Sequence, residues 1–220
     1  MANLRDYRGF LRSGYTWAEL AMNFFRLMVY SRLTSALKHS FGHRGRGVVI
    51  DYTVNVQGSR FISIGDGSWV QRCAHLSVPL IEMKAPPVGT PLKIGKRVQI
   101  GGRCFFAAVN SVDIEDDALF GPNVYLADHT HAFGNPEVSI RDQGIGAPGS
   151  IRIGKGSWIG INAVIIAIEG KEIEIGDGAI VSANSVVTRS VPPRTMAAGV
   201  PARVIKRFDE KTRAWVAVSQ

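Results

Sequence analysis

Five histidines are spread through the 220 residues, and two of them stand one residue apart in the run Asp128-His129-Thr130-His131. Imidazole is the side chain whose charge changes near neutral pH. Such a pair beside a carboxylate could act as a general base or supply ligands to a metal. A three-histidine metal site would need a third member, and His75 lies far back in the chain. His39, His43 and His75 are therefore read as incidental. Cys73 and Cys104 are too few for a disulfide framework and are read as small buried residues.

The histidine pair must be held by a repetitive scaffold. The segment Ile62-Ser63-Ile64-Gly65-Asp66-Gly67-Ser68-Trp69-Val70 recurs, with substitutions, from Leu92, Val112, Ile151 and Ile173. Within the copies a large apolar residue returns every sixth position, as in Ile153, Ile159 and Ile165, or Ile175, Val181 and Val187. Small residues follow four places after the leading one, as Ser157 and Ala163 do. A period of six is neither the two of a strand nor the 3.6 of a helix. It fits a triangular prism in which each hexad is one short strand plus a corner, and three hexads make a coil of about 18 residues. The fold class expected is all-β, a left-handed parallel β-helix. From Ile114 to Ile153 is 39 residues, one coil plus a surplus loop over about 127–150 that carries both His129 and His131. A second surplus runs from Val78 to Pro91. Insertions of this kind in a solenoid tend to carry function.

Ahead of the repeats the composition differs. Residues 1–47 hold eight Lys and Arg against Asp6 and Glu19, out of a formal net charge of +8 for the whole chain. Thr16-Trp17-Ala18-Glu19 has the capping-box pattern, and Leu20, Phe24, Leu27 and Met28 recur near helical spacing, so a basic α-helical extension is expected, ending near Gly42. It either lies on an anionic membrane surface or packs over the end of the prism. The division expected is 1–47 extension, 48–208 β-helix and 209–220 tail. The start lacks an apolar run and an A-x-A site, and Leu20 to Tyr30 is too short and polar to span a bilayer, which places the protein in the cytoplasm, at most at the inner face of the membrane.

The repeats, the run Gly121-Pro122-Asn123-Val124-Tyr125 leading into Asp128-His129, and Ser185 to Pro193 followed by Ala198-Gly199-Val200-Pro201-Ala202-Arg203 together resemble the hexapeptide-repeat acyltransferases. The similarity covers about residues 48–208 and is greatest to maltose, galactoside, nodulation-factor and polysaccharide O-acetyltransferases. It implies a homotrimer with active sites in the clefts between prisms, acetyl-CoA as co-substrate without a metal, and a sugar or glycan acceptor. It also selects His129 as the base, with Asp128 as possible support and His131 as the rival. A backbone N–H near Gly160 would stabilise the oxyanion. Gly160, Ala183, Thr188, Arg189, Arg203 and Lys206 match positions that contact coenzyme A. Ile161 departs from the small or polar residue usual there, and Ala167 to Glu172 is longer than in relatives.

The same resemblance admits N-acetylation of an amino-sugar nucleotide. From other classes, zinc carbonic anhydrases share the prism but need closely spaced histidines on the coils. A non-catalytic or nucleic-acid-binding β-helix would suit the basic charge, but no aromatic-basic platform is present, so no nucleic-acid partner is expected.

Overall fold

The hexads fold into three flat faces. The computed structural model describes residues 40–80, 83 and 86–218, together with positions 16, 18, 21, 22, 25 and 29. The first face stacks six parallel strands: β1 (His43–Arg44), β4 (Ile62–Ile64), β7 (Leu92–Ile94), β10 (Ser111–Ile114), β13 (Ser150–Ile153) and β16 (Glu172–Ile175). The second stacks β2 (Val49–Ile50), β5 (Trp69–Val70), β8 (Gln99–Ile100), β11 (Leu119–Phe120), β14 (Trp158–Ile159) and β17 (Ile180–Val181). It is extended by β19 (Thr195–Gly199), β20 (Ala202–Asp209) and β21 (Ala214–Ala217). The third holds β3 (Asn55–Gln57), β6 (His75–Ser77), β9 (Phe105–Ala107), β12 (Tyr125–Ala127), β15 (Val164–Ile166) and β18 (Val186–Val187). The chain visits the faces in turn, which makes a parallel β-helix whose hexapeptide repeats are consistent with the left-handed form.

Inward residues stack coil upon coil. Ile64, Ile94, Ile114, Ile153 and Ile175 line the first face from inside, and Leu76, Phe106, Leu126, Ile165 and Val187 the third, all buried. The pairing of Leu92 with Val112 gives a coil of twenty residues rather than the eighteen expected. From β4 to β16 the first-face strands each carry two inward residues, such as Leu92 and Ile94, instead of one. Two added residues preserve the in–out alternation of a strand, so the longer coil keeps its phase.

All larger surpluses leave at a single edge. The segment 78–91 separates β6 from β7, and 128–149 separates β12 from β13, so both fall where the third face turns into the first. At the opposite corner, between second and third faces, Arg103, Asn123, Asn162 and Asn184 take left-handed backbone angles. Their side chains form a ladder, Arg103 to Asn123, Asn123 to Asn162 and Asn162 to Asn184. This second-to-third edge is continuous where the third-to-first edge is interrupted.

Three expectations are corrected. The prism begins before residue 48: β1 pairs with β4, and Gly42 N–H donates to Ser59 and Ile62 carbonyls. A Cβ on Gly42 would sit 2.3 Å from the Arg60 carbonyl oxygen, so this glycine serves close coil approach. The residues from 209 are not a loose tail, because β21 pairs antiparallel with β20 and Trp215 packs edge-on against Phe208. Cys104 is buried, but Cys73 is exposed: it occupies the left-handed corner position, φ 57°, one residue before the small inward site. The expected N-terminal helix falls for the most part outside the described residues. Ala18, Ala21 and Met22 are helical, and among the described residues no helix is long and apolar enough to cross a membrane.

The cysteines differ in reactivity accordingly. Burial pushes the Cys104 thiol up to about 11, whereas Cys73 faces solvent. One thiol per chain should react with an aromatic disulfide reagent at pH 8 in the native protein and two in denaturant. A Cys73→Ser variant that still titrates rapidly when native would contradict this placement.

Candidate active site

The third-to-first edge brings Asp128 and His129 off the end of β12. Ala127 is the last outward residue of that strand, so the chain turns away from the prism at Asp128 itself. The Asp128 carboxylate is fully buried and faces a row of donors. Val109 N–H reaches Oδ1 at 2.9 Å, while Asn110 and Ser111 N–H each reach Oδ2 at 2.8 Å. The three consecutive amides belong to the turn joining β9 to β10, one coil below. Burying a carboxylate is costly unless it is hydrogen-bonded; here the backbone of the preceding coil satisfies it.

The His129 ring takes the remaining lone pair. Its Nδ1 lies 2.8 Å from Asp128 Oδ1, and its side chain is 11% exposed. An ionised carboxylate only accepts, so Nδ1 carries the hydrogen, and in the neutral ring Nε2 keeps its lone pair. The ring is thereby fixed in the tautomer a base requires. Asp128, adjacent in the chain, is the group that orients it.

His131 is placed differently. It is exposed and lies in a short antiparallel bridge with Ile145, where Ala132 N–H donates to Gly144 and Gly146 N–H to Thr130. Beyond this ribbon the loop carries α1 (Ile140–Gln143) and exposes Phe133, Val138 and Ile140. No side-chain partner orients the His131 ring among the described residues. His75 sits on the third face, its ring 4.7 Å from that of Phe105, and burial holds it below the usual histidine range. Among the described residues no three or more His, Cys, Asp or Glu side chains gather to hold a metal.

The residues expected to meet coenzyme A do not all share this edge. Gly160 and Ala183 stand at the second-to-third corner, with a Cβ on Gly160 only 2.6 Å from the Ala183 nitrogen. The Gly160 N–H donates to the Val181 carbonyl at 2.8 Å, so it belongs to the ladder and is not available to an oxyanion. The next N–H, that of exposed Ile161, donates to no carbonyl among the described residues. Thr188 and Arg189 follow β18 at the third-to-first edge, above the loop, and Arg203 and Lys206 lie on β20. Among the described residues none of these three cations is paired with a carboxylate. Within one prism, His129 and the Gly160–Ile161 turn are separated by the whole third face. Large apolar residues are exposed around that turn: Leu119, Trp158, Ile161 and Tyr125.

Sequence reasoning missed the Val109–Ser111 amides and Gly149. The first act through backbone N–H groups, which carry no side-chain signature, and the second through its lack of a side chain.

Known proteins resemble the chain in sequence and in fold. The family model described as hexapeptide repeat of succinyl-transferase matches residues 91–127 and 150–189, the coils on either side of the loop. The galactoside O-acetyltransferase of Escherichia coli (strain K12) is 31% identical over 160 residues, spanning 70% of this chain and 67% of that protein. A candidate lipopolysaccharide biosynthesis O-acetyl transferase of the same organism, WbbJ, is 32% identical over 125 residues, 54% of this chain and 61% of that one. The chain thus spans about two thirds of the length of these relatives. Among solved structures, a point variant of AntD, an N-acyltransferase from Bacillus cereus in complex with dTDP and coenzyme A, superposes with a TM-score of 0.66 at 20% identity. It covers 84% of this chain and 93% of its own, a likeness of fold.

Replacing Asp128 by Ala leaves three amides and the His129 Nδ1–H without their acceptor. A loss of roughly 3 kcal/mol is expected, about 10 °C in melting temperature for a chain of this size. Asp128→Asn, which keeps one acceptor oxygen, should lose less. An Asp128→Ala protein melting with wild type would show that the carboxylate is not the anchor of this turn.

Proposed function

Because the chain belongs to the hexapeptide-repeat acetyltransferase family, we propose that it transfers acetyl from acetyl-CoA to a sugar hydroxyl in surface-polysaccharide assembly, with His129 as general base. The observation that carries the catalytic part is the His129–Asp128 contact, which leaves Nε2 as the free proton acceptor.

An acceptor hydroxyl is a poor nucleophile until it loses its proton. His129 Nε2 takes that proton as the oxygen attacks the thioester carbon. Asp128 stabilises the imidazolium through Nδ1–H, and Nε2 returns the proton to the thiolate as the carbon–sulfur bond breaks. The products are the acetyl ester and coenzyme A. The negative charge on the carbonyl oxygen in the tetrahedral intermediate needs a fixed donor, and the free Ile161 N–H is assigned that part. Arg189, Arg203 and Lys206, exposed and without carboxylate partners among the described residues, suit the phosphates of coenzyme A.

His129 and Ile161 stand on different edges, so the site is taken to be completed between copies. The third-to-first edge of one copy faces the second-to-third edge of the next, as in a closed trimer. The exposed Leu119, Trp158 and Tyr125 around the Ile161 turn, and Phe133, Val138 and Ile140 on the loop, give both partners apolar surface. A lipid-linked acceptor is supported by the N-terminal segment, where Met22, Phe25 and Val29 are exposed among many basic residues.

At about a hundred times its dissociation constant, acetyl-CoA should stabilise the protein by about 2.7 kcal/mol in a thermal-shift assay. Thiol release should be tested against p-nitrophenyl β-galactoside, nucleotide sugars and polyprenyl-linked glycans. His129→Ala should lower kcat about 10²- to 10⁴-fold with acetyl-CoA binding retained. Full-rate transfer by that variant would overturn the general-base assignment, and acetylation of an amino-sugar nucleotide alone would replace O- by N-transfer.

A further inference from the structure

The loop that carries His129 leaves and rejoins the prism at one point. The Asp128 carbonyl accepts the Gly149 N–H at 2.7 Å, closing residues 128–149 into a ring. Gly149 is buried and pressed against the next coil: a Cβ there would meet the Lys171 carbonyl oxygen at 2.2 Å and Ala167 at 2.9 Å. The coil above is enlarged at this place. Ile151 pairs with Ile173, twenty-two residues on, where Leu92 pairs with Val112 at twenty. The two additional residues form a bulge whose Glu169 and Gly170 take left-handed angles, φ 57° and 72°. It is sewn to the loop's return by Glu169 N–H to the Ala147 carbonyl, Ser150 N–H to the Lys171 carbonyl and a bridge between Pro148 and Ile168.

That brace holds Gly149 from one side, and Asn110 holds it from the other. The Asn110 Nδ2 donates to the Gly149 carbonyl at 2.8 Å, while the Asn110 main-chain N–H donates to Asp128 Oδ2, also at 2.8 Å. One residue thus grips the carboxylate that orients His129 and the far root of the loop that bears it. Val109 and Ser111 contribute main-chain donors alone to this turn. The amide nitrogen must face Gly149, because a carbonyl oxygen there would confront another acceptor.

We propose that Asn110 is a positioning residue: its side-chain tie to Gly149 fixes the closed root of the loop, and so the alignment of the Asp128–His129 pair. This role rests on His129 as the base. Asn110 is exposed, so its replacement opens no cavity and tests the tie itself. Asn110→Asp keeps the shape but sets a carboxylate oxygen against the Gly149 carbonyl, and should be at least as damaging as Asn110→Ala.

With acetyl-CoA and p-nitrophenyl β-galactoside as probes, both variants should lower kcat about tenfold, since small misplacements of a catalytic group are costly. KM for acetyl-CoA should stay within twofold, and neither variant should lower kcat further in an Asp128→Asn background. A second readout needs no acceptor. In ¹⁵N-histidine-labelled protein, the His129 ring, assigned by its loss in His129→Ala, should be the Nδ1–H tautomer in wild type and a mixture in both Asn110 variants. An unchanged tautomer, or losses that multiply with Asp128→Asn, would overturn the role of Asn110. Full activity in His129→Ala would instead remove the base, while the tautomer populations would still decide whether Asn110 holds the ring.

Discussion

Every coil must stack on the one below in register, and the rest of the molecule follows from that. Each inward Ile, Val or Leu contributes about 1.5–3 kcal/mol by burial. A one-residue slip would turn a strand's inward residue outward. Doubling the length of a surface loop costs only about 0.6 kcal/mol. Added residues are therefore tolerated in pairs inside a strand, as on the first face, or expelled whole at a corner. The corner that receives them joins the third face to the first, and it is there that the histidine loop emerges.

The same stacking supplies the site's electrostatics. Turn amides that would otherwise face solvent point upward into the space of the following coil, where Asp128 meets them. A carboxylate held by three backbone donors is a fixed acceptor, and His129 inherits its orientation. The second-to-third edge, with its asparagine ladder and closely packed glycines, has no room for an insertion. The two edges thus differ in kind: one bears His129, the other a clean turn whose Ile161 N–H has no partner among the described residues. Chemistry that needs both requires two prisms side by side.

Much of this was legible in the residues. The period of six gave the faces, and the surplus between Ile114 and Ile153 marked the loop, because both depend on side-chain type and spacing. The coil length was misjudged by two because the second inward residue of each first-face strand, such as Leu92 before Ile94, falls outside the hexad count. Cys73 was misplaced by a single position of phase. The amides of Val109, Asn110 and Ser111 and the closeness of Gly149 to Lys171 had no such mark, being backbone contacts between residues distant in the chain. Gly160 was expected to meet coenzyme A and to lie near the oxyanion donor, but its own N–H is committed to Val181.

The central claim is a base on one edge acting with a turn on the neighbouring copy's other edge. Two inactive variants should therefore complement: His129→Ala, which lacks the base, and Ala183→Trp, which fills the exposed opposite corner. Co-expressed with different tags and purified as mixed trimers, they should regain about a third of the wild-type transfer rate, since every mixed cyclic trimer has one cleft in three with both sides intact. Mixed trimers no more active than either parent would contradict a site shared between copies.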